Sequence, residues 1–283
     1  MNRKGKVVLR IILCAAICLL WAVWAGAGEN TPEPDPPHAE NNAGEDPPEL
    51  DLRNVKLAMR DGELTGEISY TLVVGTFFEW NTDPRAVPGL FSEVDRRTKI
   101  KTRVDFTPVS LDSEEIFANP FLIMTGNRFF SLADEEVANL RRYALAGGFI
   151  YADDCGGADW SFRQMIGKIF PERKLEEVRK DHPIFKGHYK LSSVPKILDL
   201  YGTEPKGLGV FIDGRLAVFY TYDTDVPCGW EKYADGSFVH LLTPEKHNES
   251  FELGVNIVVH ALRDLYERTL KGPREEKAND DSE

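Results

Sequence analysis

The groups able to do chemistry concentrate in one short run, Tyr151-Ala152-Asp153-Asp154-Cys155-Gly156-Gly157-Ala158-Asp159-Trp160. Asp153, Asp154 and Asp159, joined by His182 further on, offer the oxygen and nitrogen donors that hold Mg²⁺, Ca²⁺ or Zn²⁺. The same aspartates at a strand-to-helix junction also act as caps that satisfy backbone N–H groups, which needs no metal. Adjacent carboxylates raise one another's pKa, so acid/base or ligand contact is a third role. Gly156 and Gly157 either admit a ligand close to the backbone or make the turn. Cys155 is a nucleophile, an inert turn thiol, or one half of a disulfide with Cys228. His182 precedes Pro183 and is therefore held extended, with its ring presented from a loop as a pocket or a structural residue. Trp80, Trp160 and Trp230 would line a carbohydrate cleft if they converge, and belong to core or rim if they do not. The chain has no P-loop, no G-x-G-x-x-G, no H-E-x-x-H and no paired C-x-x-C, so nucleotide and zinc-protease chemistry lack support. No cofactor and no resident metal are expected.

The elements that must position these residues follow from periodicity. Asn119 to Gly126 is a short apolar run closed by glycine, as a buried strand should be. Ser131 is placed to cap a helix with Asp134, Glu135 and Glu136 in its first turn and Val137, Leu140, Tyr143 and Ala144 on one face, stopped by Gly147-Gly148. Phe149 to Ala152 is a second strand, so strand, crossover helix and strand make two parallel neighbours. A helix from about Pro84 to Arg97 and a strand near Lys101 to Val109 extend the alternation upstream. A helix from Trp160 to Ile169 follows the reactive run. Downstream, Gly209 to Ile212 and Arg215 to Tyr222 read as a hairpin about Asp213-Gly214, Ser237 to Leu242 as a strand, and Glu252 to Leu270 as a closing helix. The expectation is a three-layer α/β/α sandwich, mostly parallel, with a small β-hairpin insertion. The carboxyl ends of its strands are where ligands bind in such sheets, and the reactive run lies there.

Composition bounds the rest. A chain of 283 residues with 42% hydrophobic residues has the apolar material for a core, and a net charge of −12 argues against nucleic acid as the main partner. Arg3, Lys4, Lys6 and Arg10 precede an apolar or small stretch, Ile11 to Ala27, that ends in Ala25-Gly26-Ala27, so residues 1–27 read as a signal peptide or a retained N-terminal anchor. Contact with a membrane is expected only through that segment, if it is retained, and the body of the protein is expected to be exported to the periplasm or cell envelope. Residues 28–50 are rich in Pro, Glu and Asn and read as a flexible linker, and residues 271–283 as a charged tail. A single domain, 51–270, lies between them.

Several motifs in order along the chain carry a resemblance. Leu140-Arg141-Arg142-Tyr143 leading to Gly147-Gly148, an apolar strand and a Cys-Gly-Gly turn resembles the class I glutamine amidotransferase-like fold, of flavodoxin-like architecture. Thr125-Gly126, Gly147-Gly148-Phe149 with Asp153-Asp154, Phe170-Pro171, Asp181-His182-Pro183-Ile184-Phe185 and Leu253-Gly254-Val255-Asn256 resemble the domain-of-unknown-function family 4159 over about Val55 to Leu265. The resemblance implies relatives that accompany envelope complexes of AAA ATPase and von Willebrand A-type proteins, hence a protein partner. Glutaminase chemistry requires a Cys on a strand-to-helix turn, a His to activate it and a Glu to orient the His. Counted from Gly147-Gly148, the nucleophile position falls on Asp154, and the His-Pro-Glu counterpart is Thr243-Pro244-Glu245, so two of the three members are missing. A shifted register would use Cys155 with His240 or His247 as base. The leading expectation is a non-catalytic ligand- or partner-binding domain with its pocket around Asp153 to Trp160, His182, Thr243 and Glu245; the rivals are a hydrolase using Cys155 or the aspartates, and a sugar-binding module.

Overall fold

The computed structural model describes residues 49–75, 83–126 and 129–270. The expected leader, nearly all of the linker, the tail and Trp80 lie outside the described residues. No helix among the described residues is long and apolar enough to cross a membrane.

The first sheet begins with β1 (Val55–Arg60) and β2 (Glu63–Val74), antiparallel across Asp61-Gly62. Both turn residues have positive φ, 51° and 78°, which Asp and Gly tolerate and which matches the twist of a tight hairpin. Helix α1 (Ala86–Arg97) then carries the chain to β3 (Lys99–Ser110), parallel to β2. The second sheet has the order β4-β5-β8-β7-β6, formed by β4 (Leu122–Gly126), β5 (Ile150–Asp154), β6 (Glu176–Glu177), β7 (Lys206–Ile212) and β8 (Arg215–Tyr222). Helix α2 (Asp134–Leu145) joins β4 to β5, α3 (Asp159–Ile169) follows β5, and α4 (Pro244–Leu265) closes the fold.

The β4–α2–β5 crossover is present as expected, with Leu122 paired to Ile150 and Gly126 to Asp154 in parallel. Its helix starts later than Ser131 suggests: Ala133 is the N-cap, and the Glu136 carboxylate accepts the Ala133 N–H at 2.7 Å. The mostly parallel sheet is corrected. β8 pairs antiparallel with β7, β7 with β6, and β1 with β2, so the fold is a mixed α/β arrangement of two open sheets and four α-helices among the described residues. Nor is the β7–β8 hairpin an insertion. β8 sits in the middle of its sheet against β5, and Leu216 to Thr221 are buried in succession, because both faces of a central strand are covered. Ser237 to Leu242 forms no strand; its one ladder contact is an isolated bridge between Phe238 and Lys232. The closing helix begins at Pro244 rather than Glu252, since Thr243 caps it by accepting the Lys246 N–H at 3.3 Å and proline suits the first helical position.

Alternate residues of the central strands serve two cores. Phe149, Tyr151 and Phe219 pack with Trp230 and α4, whereas Ile150, Ala152, Val218 and Tyr220 pack with Leu140 and Tyr143 of α2 and Phe162, Met165 and Ile166 of α3. α1 approaches the first core so closely that a Cβ on Gly89 would stand 1.9 Å from the Trp230 carbonyl oxygen. Trp230 is fully buried there and donates its indole N–H to the Ser250 carbonyl at 2.8 Å. Beside it, buried Glu93 accepts from Arg97 and Lys232, each at 2.6 Å, which ties α1 to the segment after Trp230.

His260 of α4 lies edge-on to Phe149 and to His182, with a buried Nε2 that has no hydrogen-bond partner. Burial first, then the positive charges of His182, Arg215 and Arg263, lower its pKa to about 3. The unfolded chain takes up this proton near pH 6.5 and the folded chain only near 3, so the stabilisation is complete above pH 6.5 and is lost as pH falls toward 3. Urea unfolding at pH 8 and pH 5 should show the wild type losing about 2 kcal/mol more than His260→Phe over that interval; equal losses would show that His260 does not titrate this way.

Candidate functional site

The parallel pairing of β5 with β8 runs from Ile150 opposite Val218 to Asp153 opposite Thr221, so both strands deliver their carboxyl ends to one edge. The loop after β5 begins at Cys155, whose N–H donates to the Gly126 carbonyl at the end of β4 at 2.9 Å. The loop after β8 is Asp223-Thr224-Asp225, then a short turn, Pro227–Gly229. Its two aspartates have positive φ, 58° and 52°, an uncommon backbone state for residues with side chains. That state persists because the neighbouring loop over-determines it. The Asp223 carboxylate accepts the N–H groups of Leu200, Tyr201 and Thr203, and the Thr224 hydroxyl accepts from Ile197 N–H.

Strand alternation separates the adjacent aspartates. Asp153 shares its face with Tyr151: its Oδ1 accepts from the Tyr151 hydroxyl at 3.1 Å, from the Thr221 hydroxyl and from Val226 N–H at 3.3 Å, while its buried Oδ2 has no partner. Asp154 faces the other way. Its Oδ1 accepts the N–H groups of Gly156 and Ala158, each at 2.8 Å, and its Oδ2 accepts from the Tyr201 hydroxyl. The same hydroxyl accepts the Gly157 N–H at 2.9 Å, and Gly156 and Gly157 have φ of 105° and 103°, so both glycines are needed for this turn. Asp159 opens α3, receives Arg163 at 2.9 Å and the Tyr220 hydroxyl at 3.0 Å, and does not join the other two as a ligand set.

His182 lies at the opposite end of the sheet. Its ring contacts Phe211 and His260, Phe211 pairs with Leu216 at the start of β8, and its Nδ1 accepts the Ile184 N–H at 3.2 Å. Thr243 serves as the α4 cap, and Glu245 is exposed in the first turn. His247 is buried, stacked on Phe238, with one ring nitrogen 2.9 Å from the Gly229 carbonyl and the other 3.2 Å from the His240 carbonyl. Both nitrogens therefore face backbone oxygens rather than a nucleophile. Trp160 is exposed and meets Phe129 edge-on, whereas Trp230 is core, so those two indoles line no common cleft.

Around Cys155 the structure gathers Asp83 and Asp225, which sequence reasoning did not connect with it. The Cys155 thiol donates to Asp83 Oδ2 at 2.9 Å, and the Cys228 thiol donates to Asp225 Oδ2 at 3.0 Å. Ligand atoms of Asp83, Cys155 and Asp225 lie within 4.8 Å of one another, as do those of Asp83, Cys228 and His240. Both cysteines are free thiols. Burial, then the charges of Asp225, Asp83 and Asp153, hold the Cys155 thiol well above its ordinary pKa. Burial and the neighbouring Asp225 do the same for Cys228. Asp153 is raised by burial and by the charge of Asp225, and Asp225 is itself raised, chiefly by burial. The signal available in the sequence was Asp223-Thr224-Asp225 directly after a strand, five residues before Trp230. Asp83, by contrast, is brought in from the segment ahead of α1 and has no local signature.

These features define a mixed α/β domain with a polar, thiol-bearing cluster at the carboxyl edge of parallel strands. The chain belongs to the family described as Domain of unknown function (DUF4159), whose model matches residues 71–262. No curated protein matches it.

Removing the Asp154 carboxylate strands two backbone N–H groups and a tyrosine hydroxyl beneath the loop. Asp154→Ala should lower the unfolding free energy by roughly 1–3 kcal/mol in denaturant melts; a change under about 0.5 kcal/mol, the range of ordinary surface substitutions, would show that the carboxylate does not hold the turn.

Proposed function

We propose that this is an exported, non-hydrolytic member of the class I glutamine amidotransferase-like fold that binds a protein partner in the cell envelope. The observation that carries the reading is the state of the strand-to-helix turn. The residue at the nucleophile position is Asp154, its carboxylate engaged by Gly156, Ala158 and Tyr201. The next residue, Cys155, is a thiol hydrogen-bonded to a carboxylate among further carboxylates, the reverse of the positive surroundings that activate a cysteine. The β4–α2–β5 crossover leading into this turn supports the fold assignment, and the three-layer arrangement belongs to this proposal. The basic and apolar residues of 1–27 support export. Beside the turn, exposed Phe129, Trp160 and Tyr201 offer aromatic surface of the kind enriched at protein interfaces.

Thiol labelling of the reduced protein across pH 5 to 9 tests the reading. Cys155 should react slowly at neutral pH, with a rate that climbs only above the free-thiol value of about 8.5. Fast labelling at pH 6, abolished in Cys155→Ser, would make the protein a cysteine hydrolase instead.

A further inference from the structure

The donors around Cys155 go beyond a binding surface. Two thiols, one imidazole and two carboxylates converge from four separate stretches of chain: Asp83 ahead of α1, Cys155 after β5, Asp225 and Cys228 after β8, and His240 ahead of α4. The two groups of three ligand atoms share Asp83. The mixture of sulfur, nitrogen and oxygen donors is that of a zinc-class ion rather than Mg²⁺ or Ca²⁺, which take oxygen alone. Neighbouring ligands in a tetrahedral site with bonds of about 2.0–2.3 Å stand roughly 3.5 Å apart. Within each group the ligand atoms lie under 4.8 Å apart; Cys155 belongs to one group and Cys228 and His240 to the other, so a single four-ligand site requires the loop after β5 and the loop after β8 to close on the Asp83 they share.

A second observation is independent of the cluster itself. His240 Nε2 lies 2.9 Å from Glu231 Oε2, and Glu231 is a buried carboxylate whose other oxygen accepts the Arg85 N–H at 3.0 Å. A carboxylate behind a histidine fixes its tautomer and leaves the remaining ring nitrogen as a lone-pair donor, the arrangement found behind metal-bound histidines. Glu231 thereby fixes His240 and also holds the backbone two residues from Asp83. No Lys or Arg among the described residues pairs with Asp153 or Asp225.

We propose that Asp83, Cys155, Cys228 and His240 bind one zinc-class divalent cation as a closed four-ligand site, with Asp225 outside it as a positioning residue that accepts the Cys228 N–H at 3.3 Å. Binding forms two metal–sulfur bonds and releases the two thiol protons to solvent, with no change of oxidation state. Four protein ligands leave no open position for a reacting water, so the site clamps the loops together and stands apart from the question of hydrolysis.

Cobalt(II) titration of the reduced full-length protein is the test. One equivalent should bind, with a thiolate-to-cobalt charge-transfer band in the near ultraviolet that zinc removes. The band should vanish in Cys155→Ser and in Cys228→Ser, and His240→Ala should weaken or remove it. Asp225→Asn should keep it, because this residue lies outside the ligand set and an Asn oxygen still accepts the Cys228 N–H. Zinc at a thousandfold excess over Kd should raise Tm by roughly 10 °C in the wild type and not in Cys155→Ser, whose metal-free melt reports whether that half-exposed substitution has left the fold intact. If Cys155→Ser does not fold, the decision passes to Asp83→Asn, which should bind at least tenfold more weakly. The proposal fails if the reduced protein shows no band, if the band survives either Cys→Ser substitution, or if peptide mapping of protein purified without added oxidant finds Cys155 joined to Cys228, which would make the pair a disulfide.

Discussion

The parallel pairing of β5 with β8 is the constraint on which the carboxyl edge of the second sheet depends. Because Asp153 stands opposite Thr221, the loop bearing Cys155 and the loop bearing Asp225 and Cys228 begin side by side. The pairing is reinforced on the buried face by hydroxyls: Tyr151 and Thr221 are 2.8 Å apart, and both reach the same Asp153 oxygen. Such a network of buried polar groups fixes one register, since a slip of one residue would exchange every side chain between the two cores. It also sets two carboxyl groups, Asp153 and Asp225, on the same side of the edge and out of water, where burial raises the pKa of both. The thiols therefore sit where a thiolate is disfavoured unless a positive charge arrives.

The separation of Asp153 from Asp154 shows how a one-residue offset changes chemistry. One carboxylate looks toward the cluster and keeps an oxygen unpartnered; the other looks toward α3 and has its hydrogen-bonding capacity taken up by the turn. A scaffold of this kind can keep the strand-turn-helix geometry of an enzyme while the residue at the turn becomes a fastener. Asp159, five residues on and already helical, answers instead to Arg163 one turn along α3 and to Tyr220.

Local signals were legible and long-range ones were not. The β4–α2–β5 crossover and the Asp213-Gly214 turn were read from periodicity and turn chemistry, because both are decided within a few residues. Asp61-Gly62 carries the same turn signal, yet β1 and β2 went unread, since Glu63 to Val74 mixes Thr, Ser, Glu and Gly with its apolar residues and shows no clean alternation. The position of β8 was misjudged for a different reason. A hairpin announces its turn but not its neighbour, and only the second buried face of Leu216 to Thr221 reveals that another strand lies beside it. Thr243-Pro244 was read through a family motif as a loop, although Thr followed by Pro is a helix-start signal in its own right. Of the cluster, Cys155 was visible as a turn thiol, with Cys228 as its disulfide partner or His240 as its base among the alternatives; Asp83 and Asp225 join it only through tertiary contacts that no spacing encodes. His182, placed near the pocket by resemblance, sits at the other end of the sheet because its ring packs against Phe211 near the end of β7.

The central place of β8 has a consequence for how the chain is made. β5 is complete by Asp154, but the strand that covers its second edge does not appear until Arg215. During synthesis, therefore, an emerging chain holds an apolar strand with unpaired N–H and C=O groups while some sixty further residues are added. Such an edge is a template for the wrong partner, and contacts of this sequence separation form late. The sheet closes only when the hairpin arrives, so a nascent chain halted before Arg215 is a species for chaperones rather than a partial fold.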